Sequence, residues 1–181
     1  KLGVSLQKNK LNDNILIAAQ HKKSLQWEGM PTLEDWTVDL IHKIRKYSDR
    51  HIVVRYHPRC PFFIPSQRFK MLEMNKVISN CVLEFPRQIE STYDAFDINY
   101  SYHAVVNHCS GPGINAVIAG SNVIVDEKSL AYPMSIKLKQ IEKPPRKKNK
   151  EKWLVEISHT EYTVDEISEG LWLTRLKNAL E

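Results

Sequence analysis

The chain has 181 residues, 42% hydrophobic and 26% charged, enough for one domain with a substantial core and ordinary for a soluble globular protein. No apolar run approaches the about 18 residues of a membrane span. Three widely spaced cysteines, Cys60, Cys81 and Cys109, argue against a disulfide framework or a Cys-based zinc site and suit a reducing, cytoplasmic compartment. A formal net charge of +5 suits anionic partners such as nucleotides, nucleic acid or phosphorylated glycans.

The first residue is Lys1 rather than Met, and no signal-peptide pattern follows it. The chain is therefore expected to be a piece of something longer, or to lack a disordered start. The run "NILIAAQ" (14–20) is continuously apolar, as in a strand buried on both faces. A loop, "HKKSLQWEGM", follows. "PTLEDWTVDLIHKIRKYSD" then carries a helix, with Thr32 as cap and Asp35 three residues on. Its apolar face is Leu33, Trp36, Leu40, Ile41, Ile44 and Tyr47. "HIVVRYHP" (51–58) is the next strand, so strand, helix and strand form a parallel unit.

"CPFFIPSQ" is a proline-broken loop, "VLEFP" (82–86) a third strand, and "STYDAFDI" a short helix capped by Ser91. "HAVVNH" is the fourth strand, "GPGINAVIAG" a short helix ended by Gly120, and "NVIVD" the fifth strand. This alternation predicts an α/β fold, a doubly wound, mostly parallel Rossmann-like sheet over residues 1–140. Residues 141–181 form a basic linker, "KPPRKKNKEK", and C-terminal helices packed on that domain. The linker reads as a solvated charge block, with phosphate contact as the alternative. A capping box, Thr163 with Glu166, opens the last helical stretch, and Gly170 interrupts it.

In an open parallel sheet, ligands bind outside the carboxyl ends of the strands. Four polar or small-residue loops fall there: "QHKKS" (20–24), "HPR" (57–59), "HCSGPG" (108–113) and "DEKS" (126–129). Ser110 and the amides of Gly111 and Gly113 stand at a helix N-terminus, which favours an anion. Pro112 suits the first helical turn, and Lys22, Lys23 and Arg59 add charge. An unliganded turn explains "SGPG" about as well; the four loops together are more specific. There is no GxxxxGK[ST] loop, no GxGxxG fingerprint, no HExxH spacing and no GxSxG elbow. No metal is implied, and no residue stands out as a catalytic base.

The stretches "HIVVRYHPR" and "AVVNHCSGPGINAVIAGSNVIVDEKSLAYPMS" resemble the nucleotide-binding C-terminal half of a GT-B glycosyltransferase. The chain is more closely similar to glycosyltransferase-like proteins encoded by many phages, and distantly to capsule polysaccharide transferases. Trp36 before "SDRHIVVRYHP", then Trp153-Leu154, then Thr163, Glu166, Ile167 and Gly170 extend the resemblance over residues 14–172. It implies a nucleotide-sugar co-substrate, with no bound cofactor, lined by Gln20, Lys22, Ser24, Asp126 and Ser129. His57 and Arg59 would face the nucleotide, and Ser110, Gly111 and Gly113 would hold the diphosphate. Two departures stand out. His108 and Cys109 are inserted between Asn107 and Ser110, and Asn115 replaces an acid that can bind ribose hydroxyls.

The expected function is a glycosyltransferase, or its donor-binding domain, acting on DNA bases or a glycan. A preceding N-terminal domain, or a second copy in a homo-oligomer, would complete the site. The alternatives are a non-catalytic nucleotide- or nucleic-acid-binding module of the same fold, and a scaffold with an empty rim.

Overall fold

The computed structural model describes residues 4–57, 72, 78–89, 96–145, 149–160 and 162–180. The chain divides into two compact units, Leu6–Lys148 and Asn149–Glu181, the latter with residues 1–5. Ile141 is fully buried in the core and Glu142 is hydrogen-bonded to Ser48, so the first unit runs past residue 140.

Five strands form one parallel sheet: β1 (Ile15–Ala18), β2 (Ile52–Arg55), β3 (Cys81–Glu84), β6 (Ala104–Asn107) and β7 (Asn122–Ile124). Their order is β3-β2-β1-β6-β7. The expected Rossmann-like α/β sheet is present. Every residue of β1, β2 and β6 is buried, which is why these runs are continuously apolar rather than alternating. Ile15, Ile17, Ile52, Val54, Ala104 and Val106 share one core cluster with Leu33, Ile41 and Ile44 of helix α1 (Leu33–Arg45). Leu16, Val53 and Val105 alternate with them and belong to the opposite face. Each such fully buried aliphatic side chain contributes about 1.5–3 kcal/mol.

Thr32 caps α1 as the sequence indicates. Its Oγ1 accepts the Asp35 amide at 3.1 Å and donates to Asp35 Oδ2 at 2.7 Å. Trp36 packs edge-on against Trp27, with ring centroids 5.4 Å apart. Tyr47, expected on the apolar face, lies beyond the end of α1 and is exposed, because the helix stops at Arg45. Helix α2 (Gly111–Ile118) follows β6. It ends in a Schellman turn: Gly120 has φ +95°, its amide donates to Val117 O at 3.1 Å, and the Ser121 amide donates to Ala116 O at 2.9 Å.

One expected element is different. Phe96–Asp97 (β5) pairs antiparallel with Arg87–Gln88 (β4) rather than continuing a helix. Phe96, Ile98 and Tyr100 are half-buried while Asp97 and Asn99 are exposed, a strand period. Ser91 itself, Arg59 and the loop at 60–67 lie outside the described residues.

The second unit contains α3 (Lys150–Ser158), α4 (Val164–Ser168) and α5 (Leu171–Leu180). The Thr163–Glu166 capping box forms, with bonds of 2.8 and 3.2 Å, and Gly170 at φ +72° separates the last two helices. Among the described residues no helix is long and apolar enough to cross a membrane.

Candidate functional site

From β1 the chain moves to β2 on one side, and later to β6 on the other. The carboxyl ends of β1 and β6 therefore mark the point where strand order reverses, and loops diverge there to leave a crevice. A cleft of about 330 Å³ lies at this place. Ala18 and Ala19 contribute small side chains from the end of β1, and Arg55, Tyr56 and His57 come from the end of β2. One wall is Phe96, Ile98 and Tyr100, every second residue of an extended segment. Facing it are Ser110, Gly111, Pro112 and Asn115 on the first turns of α2.

Asn107, 2% exposed, ties this site together. Its Nδ2 donates to the Ala18 carbonyl at 2.7 Å and to Ser110 Oγ at 3.1 Å, while its Oδ1 accepts the Ser110 amide at 3.0 Å. Ser110 is the N-cap of α2, yet its side chain makes no capping bond because Asn107 holds it. Pro112 has no N–H and the Gly113 amide donates to the Ser110 carbonyl at 3.2 Å, so the Gly111 amide is the first-turn donor left uncapped, at the positive end of the helix. A Cβ built on Gly111 meets nothing within 4 Å, so a ligand has direct access to the backbone there.

The remaining polar groups are largely neutralised. Arg55 Nε donates to Glu84 Oε1 at 2.6 Å, a pair in which the arginine is 4% exposed. Burial pushes the Tyr100 phenol above its ordinary value, against the Arg55 charge and a hydrogen bond with Asn115. Burial likewise pushes the Cys109 thiol up, so Cys109 is not an activated thiolate. Among the described residues, the lining carries no Asp or Glu side chain. No group of His, Cys, Asp and Glu converges as a metal site among them either.

Comparison of the chain with family models, curated proteins and solved structures returns no match. The site therefore has to be read from its own geometry.

Of the residues singled out from the sequence, His57, Ser110, Gly111 and Asn115 meet at the cleft. His57 also packs edge-on against His21, with centroids 5.1 Å apart. Gln20 is 2% exposed and its amide joins two loops: Oε1 accepts the Cys109 amide at 3.2 Å, and Nε2 donates to Ser24 Oγ at 2.8 Å. Ser24 also bonds to Gln26. Lys22 borders a separate hollow of about 460 Å³ beside Trp27 and Met30. Gly113 points away from the cleft, and a Cβ there would lie 3.0 Å from Val125 Cγ1 and 3.7 Å from Ser129 Oγ. Ser129 is buried behind it, and Asp126 closes a turn by accepting the Lys128 amide at 3.1 Å. The loops at 20–24, 108–113 and 126–129, and His57, lie at one rim, but the first and the last of these loops build packing rather than cleft. The inserted His108 is an anchor: it packs edge-on against Trp27 and its Nε2 lies 3.3 Å from the Gln26 carbonyl.

Arg55, Phe96, Ile98 and Tyr100 escaped sequence reasoning. The signal was available in "FDINY", where apolar and polar residues alternate, and in a lone arginine ending an otherwise apolar strand.

A larger hollow, about 660 Å³, lies at the amino ends of the strands beside Arg45, Ser48, Arg50 and Glu142. Its polar groups tie α1 to the strand starts. Arg45 donates to the carbonyls of Ser48, Arg50, Ser79 and Asn80, and Arg50 pairs with Glu142 at 3.1 Å. It lies at the wrong end of the sheet for a ligand site.

Proposed function

We propose that the cleft seats a nucleoside diphosphate group, and that the chain is a glycosyltransferase, or the donor-binding domain of one, using a nucleotide-sugar. The observation that carries this reading is the two-sided lining. An apolar, aromatic strip at Phe96, Ile98 and Tyr100 faces an uncapped helix N-terminus at Ser110 and Gly111. A nucleotide has one flat ring system and one anionic end, and this lining matches both.

In the transfer step, an acceptor hydroxyl attacks the anomeric carbon of the donor sugar. The bond from that carbon to the diphosphate oxygen breaks, and the diphosphate leaves with the electron pair. The Gly111 amide and the dipole at the N-terminus of α2 stabilise that leaving charge. The acceptor proton needs a base, and the described lining offers His57 rather than a carboxylate. DNA or a glycan as acceptor accords with the net charge of +5 and with the phage-type resemblance.

The missing carboxylate favours a second reading, a module of the same fold that binds a nucleotide without transfer. Calorimetric titration with uridine, guanosine and cytidine nucleotides and their sugar conjugates tests the site. The expected result is binding to at least one, lost when Gly111→Glu places a carboxylate at the anion end. Absence of binding to all of them refutes the proposal. Binding without sugar hydrolysis or transfer selects the second reading.

A further inference from the structure

Arg55 ends β2 with its side chain buried in the lining of the cleft. Its Nε donates to Glu84 Oε1 at 2.6 Å, Nη1 to the Asn99 carbonyl at 2.7 Å, and Nη2 to Tyr102 Oη at 3.2 Å. Its Cζ also lies over the rings of Tyr100 and Tyr102, 5.5 and 5.7 Å from their centroids. Tyr102 Oη in turn donates to Glu84 Oε2 at 3.3 Å. With Glu84 cancelling its charge and its edges engaged by these partners, this guanidinium is poorly placed to serve as counter-ion for a ligand.

A buried arginine pair is a weak source of stability, and a well-packed apolar residue would cover the end of β2 at least as well. What an apolar residue could not do is hold Asn99 by its carbonyl and Tyr100 by its ring. Tyr100 is fixed from other directions too. Its carbonyl accepts the Ser121 hydroxyl, just past the end of α2, at 2.6 Å and the Tyr102 amide at 3.0 Å. The Tyr100 backbone is therefore tied to the end of the helix whose first turn forms the anion end of the cleft, and Arg55 lies over its ring.

We infer that Tyr100, flanked by Phe96, is the seat for the planar heterocycle of the ligand, and that Arg55 is the positioning residue that holds this seat. The inference rests on the nucleotide reading and adds to it the place of the base. It also separates the two ends of the ligand: ring recognition belongs to β5 and the segment after it, and anion recognition to the start of α2.

The test uses the full chain and three probes: uridine diphosphate, guanosine diphosphate and inorganic pyrophosphate. Tyr100→Leu and Arg55→Lys should each weaken the nucleoside diphosphates about tenfold, the scale of losing one base–aromatic stack. Pyrophosphate should change by less than about twofold in both, because its contacts lie at α2. Tyr100→Phe keeps the ring, and should retain nucleotide affinity within about threefold. Thermal melts establish that each variant is folded, and Tyr100→Leu decides the matter if Arg55→Lys is not. Nucleotide affinity unchanged in Tyr100→Leu overturns the inference and leaves the nucleotide site standing. An equal loss for pyrophosphate also overturns it, since the variants then distort the whole cleft. A parent protein that binds none of these probes and none of the cytidine nucleotides or sugar conjugates refutes the nucleotide reading itself, and the base seat with it.

Discussion

Replacing Asn107 tests whether one buried amide holds the cleft together. Asn107→Ala removes the bonds from Nδ2 to the Ala18 carbonyl at 2.7 Å and from the Ser110 amide to Oδ1 at 3.0 Å. Each such bond contributes about 1 kcal/mol net, and a buried group left unpaired costs about 1–3 kcal/mol. Water can reach the half-buried Ser110 but has little access to the end of β1, so the expected loss is about 2–4 kcal/mol. With a urea slope of about 1–3 kcal/mol per molar, the unfolding midpoint should fall by about 0.7–4 M at 25 °C. Asn107→Asp isolates the donor. Its carboxylate can still accept the Ser110 amide, but it sets an oxygen against the Ala18 carbonyl in a site 2% exposed. The acid is then favoured in its protonated form, which can donate, so its folded pKa lies above about 3.9. Relative to the parent, this variant should lose stability as pH rises from about 4. Urea melts followed by circular dichroism at several pH values measure both effects. A loss below about 0.5 kcal/mol for Asn107→Ala would refute the reasoning, because it would show that the two carboxyl ends need no bridge.

Two further expectations concern titration. Burial opposes ionisation of Glu142, but bonds from Ser48 and Arg50 and the nearby charges of Arg50 and His103 outweigh it and hold the carboxyl below its usual 4.5. A depressed carboxyl adds stability above its unfolded value and loses it as pH falls through the folded one. Glu142→Gln should therefore be less stable than the parent at pH 7, with the gap closing below about pH 4; a gap that persists in acid would be contrary. Burial, helped by the Glu34 charge and opposed by a Thr37 hydrogen bond, pushes the Tyr56 phenol up to about 12. Its contribution is complete below the ordinary value of 10.0 and is lost as pH rises through about 12. Phenolate absorbance should show a late transition that Tyr56→Phe removes, and a late transition surviving in that variant would assign it to another tyrosine.

Much of the sheet was legible because burial on both faces imposes one composition. "ILIA", "IVVR" and "AVVN" can satisfy that environment only as short β-branched runs, and turn residues bound them. Caps are local as well: Thr32, Thr163 and Gly120 act on amides and carbonyls within a few residues, so their roles follow from spacing. The segment at 96–100 was harder. Its strand partner, Arg87–Gln88, belongs to a small sheet of its own, and its apolar face is completed by a cleft rather than by a core.

The amino-acid sequence by itself determined the five strands of the parallel sheet, the helices α1 and α2 between them and the rim on which polar loops collect, because periodicity, capping and turn chemistry are short-range. The tertiary structure alone decided which of those loops open into a cleft. Gly111 and Gly113 sit two residues apart, yet one borders open space and the other touches Val125. Gln20, promising as a loop amide, is committed to Cys109 and Ser24. Arg55 becomes part of the site through Glu84, Asn99 and Tyr102, partners 29 to 47 residues away. The direction of a side chain at a helix start and the pairing of a buried charge depend on neighbours brought in by the whole fold, and no local pattern encodes them.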